Sequence, residues 1–187
     1  MRYLIVCGGK IDKEFGLKEI KTDGIDAIIA ADSGMDFLYE NGVTPDIIVG
    51  DFDSATTKAL EFFERKGQTE IHRLNPIKDD TDTEYAIRLA IREGARSIVV
   101  LGATGSRIDH VLGNISLLGI GLESGTDISI IDTNNRIRMA DRPVTIEKSA
   151  QYGRFVSLIA VTDDNEVSLR GFKYPVTDYS FDRFTSL

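Results

Sequence analysis

The sequence holds a single cysteine, Cys7, and two histidines, His72 and His110, among 187 residues. A lone thiol cannot close an internal disulfide, and one chain with this set cannot assemble a zinc–thiolate or histidine-rich metal site. A reduced, cytoplasmic compartment is the expectation. Basic charge is scarce as well. The net charge of −8 leaves no positive face for nucleic acid or an anionic membrane. No apolar run approaches the ~20 residues of a membrane span, and the opening stretch 1–9 is too short for a signal peptide. It reads instead as a first buried strand. Also missing are a G-x-x-x-x-G-K-[ST] phosphate loop, whose spacing Gly8-Gly9-Lys10 does not meet, a G-x-S-x-G elbow and the protein-kinase H-R-D and D-F-G set. Any nucleotide must therefore be held by another arrangement.

What is present fits a soluble globular chain of one ordinary domain or two small ones, 42% hydrophobic and 28% charged. Short runs rich in Ile, Val and Ala at 2–6, 26–31, 46–49, 70–73 and 97–101 predict buried parallel strands. Helical patterns at 34–41, 55–66, 82–93 and 108–122 fall between them. The last carries an apolar stripe of Ile108, Val111, Leu112, Ile115 and Leu118. The alternation predicts an α/β fold, an open and mostly parallel sheet with flanking helices. After residue 125 the pattern shifts to short alternating segments, with Ile128, Ile130, Val144, Ile146, Phe155, Leu158, Val167 and Leu169. Polar turns separate them, which predicts a small antiparallel β-sandwich. The expected domains are thus 1–124 and 125–187.

Acidic clusters at expected strand exits carry the chemistry. Asp32 ends the second strand, where open α/β sheets bind ligands; a capping box of Ser33 with Asp36 explains this stretch equally well. In Gly50-Asp51-Phe52-Asp53-Ser54, an extended backbone would turn Asp51 and Asp53 the same way, with Phe52 facing the core. Two such carboxylates raise each other's pKa unless a cation compensates. A helix cap explains Asp53 but not Asp51, so a metal is favoured. In 78–84, Thr81 and Glu84 fit a capping box, yet three aspartates in four positions beside Lys78 suit a phosphate bridged through Mg²⁺. The small-residue loop Gly102-Ala103-Thr104-Gly105-Ser106-Arg107 offers backbone N–H groups and a cation for phosphate. Asp109 and His110 follow in the first helical turn, where His110 reads as a surface or packing histidine ahead of a catalytic one.

Taken in order, ADSG, GDFDS, the K-x-x-T-D element ending at Asp82, GATGSRIDH and the later 171–175 stretch GFKYP resemble the thiamine pyrophosphokinase family over nearly the whole chain. The resemblance implies an α/β catalytic, nucleotide-binding domain and a β-sandwich domain for thiamine binding and dimerisation. It implies a homodimer with active sites between subunits, and pyrophosphoryl transfer from ATP to thiamine, giving thiamine diphosphate and AMP. Asp32, Asp51, Asp53 and Asp82 match the family's Mg²⁺ and phosphate-site acids, with Asp51, Asp53 and Asp82 expected to hold the metal. Thr81, Arg107 and Asp109 match positions near nucleotide or thiamine, and Lys78 a phosphate contact. Gly102, Thr104, Gly105 and His110 complete the expected nucleotide-binding set. The family's Gly-x-Ser-Asn segment and last strand would lie beyond residue 187, so the C-terminal domain is expected to be incomplete.

Asp32 or Asp109 is expected to take the proton of the attacking alcohol. Two other readings use the same residues: a Mg²⁺-dependent nucleotide phosphohydrolase with water as nucleophile, and a non-catalytic module that binds thiamine or a nucleotide.

Overall fold

The computed structural model describes residues 1–53, 55–75, 80–185 and 187. By compactness the chain divides into two units, Met1–Ala150 and Gln151–Leu187. The first unit runs β1 (Arg2–Val6), α1 (Lys13–Ile20), β2 (Ala27–Ala31), α2 (Gly34–Glu40), β3 (Ile47–Gly50), α3 (Thr57–Lys66), β4 (Glu70–Arg73), α4 (Asp82–Arg92) and β5 (Ser97–Leu101). It continues through α5 (Ile108–Ser116), α6 (Leu118–Ser124), β6 (Asp127–Ile131) and β7 (Arg136–Arg138). The sheet order is β4-β3-β2-β1-β5-β6-β7. Every pairing is parallel except β6 with β7.

Strand alternation distributes the core over both faces. Tyr3, Ile5 and Cys7 of the first strand segment pack with Ala86, Ile87 and Ala90 of α4 and Leu118 of α6. Leu4 and Val6 pack on the other face with Met35 and Leu38 of α2 and Ala59 and Phe63 of α3. Covering both faces is what permits continuous apolar strands. Because β1 has β2 on one side and β5 on the other, the chain reverses its direction of winding there. The crevice outside the carboxyl ends of such strands is where an open α/β sheet takes its ligand.

Three local expectations change. Residues 127–131, expected in an antiparallel region, form β6 and extend the parallel sheet; buried Ser129 (3% exposed) mimics the polar half of an alternating strand. The helix expected over 108–122 is two helices meeting at Leu117. Ile108 and Leu112 of its stripe are 67% and 60% exposed, while Ile115 and Leu117 pack half-buried against the core and Leu118 is buried in it. Helix α1 was not foreseen. It is started by Asp12, whose carboxylate accepts from the N–H of Phe15 at 2.9 Å.

The second unit is antiparallel β, as the alternating pattern predicts: β8 (Asn165–Leu169) pairs with β9 (Val176–Phe181) across an irregularity between Val167 and Leu169. Among the described residues, no helix is long and apolar enough to cross a membrane.

Candidate metal and phosphate site

The exits of β2 and β3 are pulled together by backbone. Asp32, immediately after β2, donates its N–H to the carbonyl of Val49 at 2.7 Å and takes a left-handed φ of 49°. Asp is one of the few residues that visit this region readily. At the end of β3, a Cβ added to Gly50 would lie 3.1 Å from Asp32 Cα, so a side chain there would wedge the two exits apart.

The next residues do not continue as a strand. Phe52 has φ 65°, and the N–H of Asp53 turns back to Asp51 Oδ1 at 3.2 Å. Left-handed backbone at a bulky residue costs roughly 1–2 kcal/mol and marks functional turns. Phe52 is held by its partial burial on the core and by the Arg73 guanidinium 5.4 Å from its ring centre. The expected extended geometry for Asp51 and Asp53 is therefore replaced by a tight turn. The outcome for the carboxylates is convergence all the same: one oxygen from each of Asp32, Asp51 and Asp53 lies within 4.8 Å of the others. Asp32 and Asp51 are half-buried and Asp53 is exposed.

Neither capping alternative holds in this region. Ser33 makes no capping hydrogen bond with its side chain, and α3 is preceded by Thr56, not Asp53. Asp36 instead accepts from the Thr56 hydroxyl at 2.5 Å and from its N–H at 3.1 Å.

Asp82 opens α4, with Thr81 Oγ1 accepting from the N–H of Glu84 at 3.2 Å; the cap proposed for Thr81 is made, while Glu84 Oε1 accepts from Arg88 Nε at 2.9 Å. Thr83 Oγ1 stands 3.4 Å from Cys7 Sγ. Burial pushes the Cys7 thiol up to about 11; the Thr83 contact opposes this and the Asp82 charge adds to it. Asp82 is thus beside the exit of β1, on the same sheet edge, and outside the group formed by Asp32, Asp51 and Asp53. Lys78 lies outside the described residues.

The loop after β5 is fitted against the exit of β1. Gly102 has φ 69°, its carbonyl accepts from the N–H of Gly9 at 2.9 Å, and a Cβ on it would come 2.3 Å from the Cys7 carbonyl. From Gly105 onward the loop is exposed. Arg107 and Asp109 form an exposed fork, Nη2 to Oδ2 at 2.6 Å and Nε to Oδ1 at 3.3 Å. The Arg107 guanidinium holds the Asp109 carboxyl below the usual range. His110 is exposed on α5. One acid on this edge was not foreseen: Asp132, after β6, accepts from the Thr104 hydroxyl at 2.8 Å. Its signal was the run of turn residues 132–135, a pattern in which an Asp bonds its own backbone.

Three hard oxygen donors so close together match the ligand preference of Mg²⁺ or Ca²⁺. Like charges at this spacing repel unless a cation joins them. Around them lie glycine-bordered loops and the first turns of α4 and α5, where backbone N–H groups and the helix dipole favour phosphate.

Residues 21–130 match the family described as Thiamin pyrophosphokinase, catalytic domain, and residues 143–187 match Thiamin pyrophosphokinase, vitamin B1 binding domain. A protein of Bacillus subtilis named thiamine pyrophosphokinase is 36% identical over 152 residues, covering 80% of this chain and 70% of the relative. The crystal structure of thiamine pyrophosphokinase from Bacillus subtilis superposes with TM-score 0.84 at 29% identity, over 99% of this chain and 86% of that one. The thiamin pyrophosphokinase of Geobacillus thermodenitrificans superposes with TM-score 0.83 at 28% identity, over 100% of this chain and 86% of that one.

Proposed function

The chain belongs to the thiamine pyrophosphokinase family, an enzyme that transfers pyrophosphate from ATP to thiamine, and we propose that it does so at the carboxyl edge of its parallel sheet. The observation that carries this placement is the approach of Asp32, Asp51 and Asp53 oxygens to within 4.8 Å from two separate strand exits.

In this reading Asp32, Asp51 and Asp53 hold Mg²⁺, and Asp82 supplies a further acid from the start of α4. Bound there, Mg²⁺ supplies charge neutralisation and Lewis acidity toward the phosphates of ATP. The hydroxyethyl oxygen of thiamine attacks the β-phosphorus and its proton passes to a carboxylate of this edge; the new bond is O–Pβ, and the bond broken is the bridge to the α-phosphate, so AMP leaves. Such a transfer depends on positioning and on neutralising the phosphoryl oxygens. Gly102, Thr104 and Gly105 shape the loop whose N–H groups cradle phosphate, Arg107 adds a guanidinium, and Thr81, Lys78 and His110 complete the nucleotide side. Asp109 is tied to Arg107, whose guanidinium holds its carboxyl below the usual range, and this pairing suits it to aiming that guanidinium.

The α/β part is assigned nucleotide binding and catalysis, and the C-terminal β part thiamine binding and dimerisation. A homodimer is supported by Phe155, Ile159 and Tyr174, large apolar side chains that the C-terminal part leaves exposed. A reducing, cytoplasmic setting is supported by the single buried thiol. The test is incubation with ATP, Mg²⁺ and thiamine, followed by identification of the adenine product. AMP with thiamine diphosphate is expected; ADP, or inorganic phosphate released without thiamine, would overturn the assignment.

A further inference from the structure

We propose that Asp132 is a positioning residue that fastens the loop between β5 and α5 through the hydroxyl of Thr104. The inference rests on the reading of that loop as a phosphate cradle. Three ties hold the loop: Gly9 N–H to the carbonyl of Gly102 at 2.9 Å, Asn114 Nδ2 to the carbonyl of Ala103 at 2.9 Å, and Thr104 Oγ1 to Asp132 Oδ2 at 2.8 Å. The first two grip backbone at the base. The third is the last before the exposed stretch that begins at Gly105, so it sets the direction in which that stretch leaves.

Asp132 is itself built into a turn. Its Oδ1 accepts from the N–H groups of Asn134 and Asn135 at 2.8 and 2.7 Å, and Asn135 Nδ2 reaches both oxygens, at 3.0 and 3.1 Å. The Asp132 N–H donates to the carbonyl of Asn135 at 2.9 Å. Burial alone would raise the carboxyl's pKa, but these donors and the Thr104 hydroxyl outweigh it and hold the group below its usual range. An ionised carboxylate can only accept, so Asp132 cannot ligate a phosphate directly. Its charge is absorbed by the turn, and what it offers the site is the orientation of Thr104.

Thr104→Val removes the hydroxyl at nearly constant volume. Hydrogen exchange at the Gly9 amide, which is bonded to the Gly102 carbonyl of the loop, is then expected to rise about tenfold, the scale of one lost charge-assisted hydrogen bond. The KM for ATP rises by a similar factor, while the KM for thiamine and the thermal midpoint stay put. Thr104→Ser recovers the exchange protection, and Asp132→Ala reproduces the loss without adding to Thr104→Val. Unchanged exchange and ATP KM in Thr104→Val, beside an impaired Arg107→Ala, would overturn the inference. An Arg107→Ala enzyme with normal ATP KM would instead count against the cradle reading, and the exchange data would still decide the tie.

Discussion

Thr56 and Asp36 are joined twice, the hydroxyl of Thr56 donating to Asp36 Oδ1 at 2.5 Å and its N–H donating to the same carboxylate. Asp36 sits on α2, the helix that Asp32 introduces; Thr56 precedes α3 and closes the turn that carries Asp51 and Asp53. The pair therefore clamps together the two segments that supply the three converging carboxylates. Partners of this kind typically change metal affinity by about 10–100-fold when removed. Asp36→Ala is expected to raise the Mg²⁺ concentration for half-maximal activity into that range, while the rate at saturating Mg²⁺ stays near that of the parent. A Mg²⁺ titration of AMP formation measures both.

Removing a ligand should act differently from loosening one. Asp51→Asn keeps the shape of the turn but deletes a charge from the group. AMP formation is expected to fall by roughly 10³-fold, the loss of several kcal/mol of charge stabilisation, with the circular dichroism of the fold unchanged. Mg²⁺ should raise the thermal midpoint of the parent, because a ligand bound only by the folded state stabilises it, and chelation should reverse that rise. In Asp51→Asn the rise should vanish. Full Mg²⁺-dependent activity in this variant would remove Asp51 from the site.

The sheet was legible because burial on both faces leaves a plain record. Leu4-Ile5-Val6, Ile28-Ile29-Ala30 and Ile98-Val99-Val100 can be little else than covered strands. The start of α4 was legible for a local reason, the Thr81 cap. Helix α1 was obscure because Gly16, a poor helix former, is required where Phe37 packs: a Cβ there would lie 2.7 Å from the Phe37 ring.

The site was half legible. Acids at strand exits mark the edge, but grouping them needs the third dimension. Asp32 joins Asp51 and Asp53 only because β2 and β3 are neighbours and Phe52 accepts a left-handed turn, and no pattern of spacing encodes that. The ties of Asp36 to Thr56 and of Thr104 to Asp132 are invisible for the same reason. Each links residues far apart in the chain, and each looks by itself like an ordinary turn or helix residue.

Glycines of the loop after β5 should separate cleanly by substitution. Gly102 combines φ 69° with a would-be Cβ 2.3 Å from the carbonyl oxygen of Cys7, and backbone cannot yield as a flexible side chain does. Gly102→Ala is expected to cost at least about 2 kcal/mol, from left-handed strain together with overpacking. At Gly105 the nearest atom to an added Cβ is 3.9 Å away. Gly105→Ala should leave the thermal midpoint within a degree or two, since a substitution free of clash is worth only about 0.5 kcal/mol. Equal destabilisation of the two variants would contradict the fit of Gly102 against the β1 exit.

Cys7 gives a test in which the sign matters. Its thiol is pushed up to about 11 in the fold, chiefly by burial, so the folded value lies above the unfolded one. Below about pH 8.5, the ordinary thiol value, both states are protonated and the group adds no pH dependence. Between there and 11 the unfolded chain releases its proton while the folded chain keeps it, so stability falls as pH rises. Cys7→Ala lacks that proton and should lose less stability than the parent between pH 8 and 10.5, by roughly 2 kcal/mol. Thermal midpoints followed by circular dichroism at the two pH values give the comparison. The thiolate is the reactive form, so the native thiol should also resist a disulfide reagent at pH 8 and react on unfolding. Rapid labelling of the folded protein would mean that the Cys7 side chain is open to solvent, and that the Thr83 contact beside Asp82 does not seal the exit of β1.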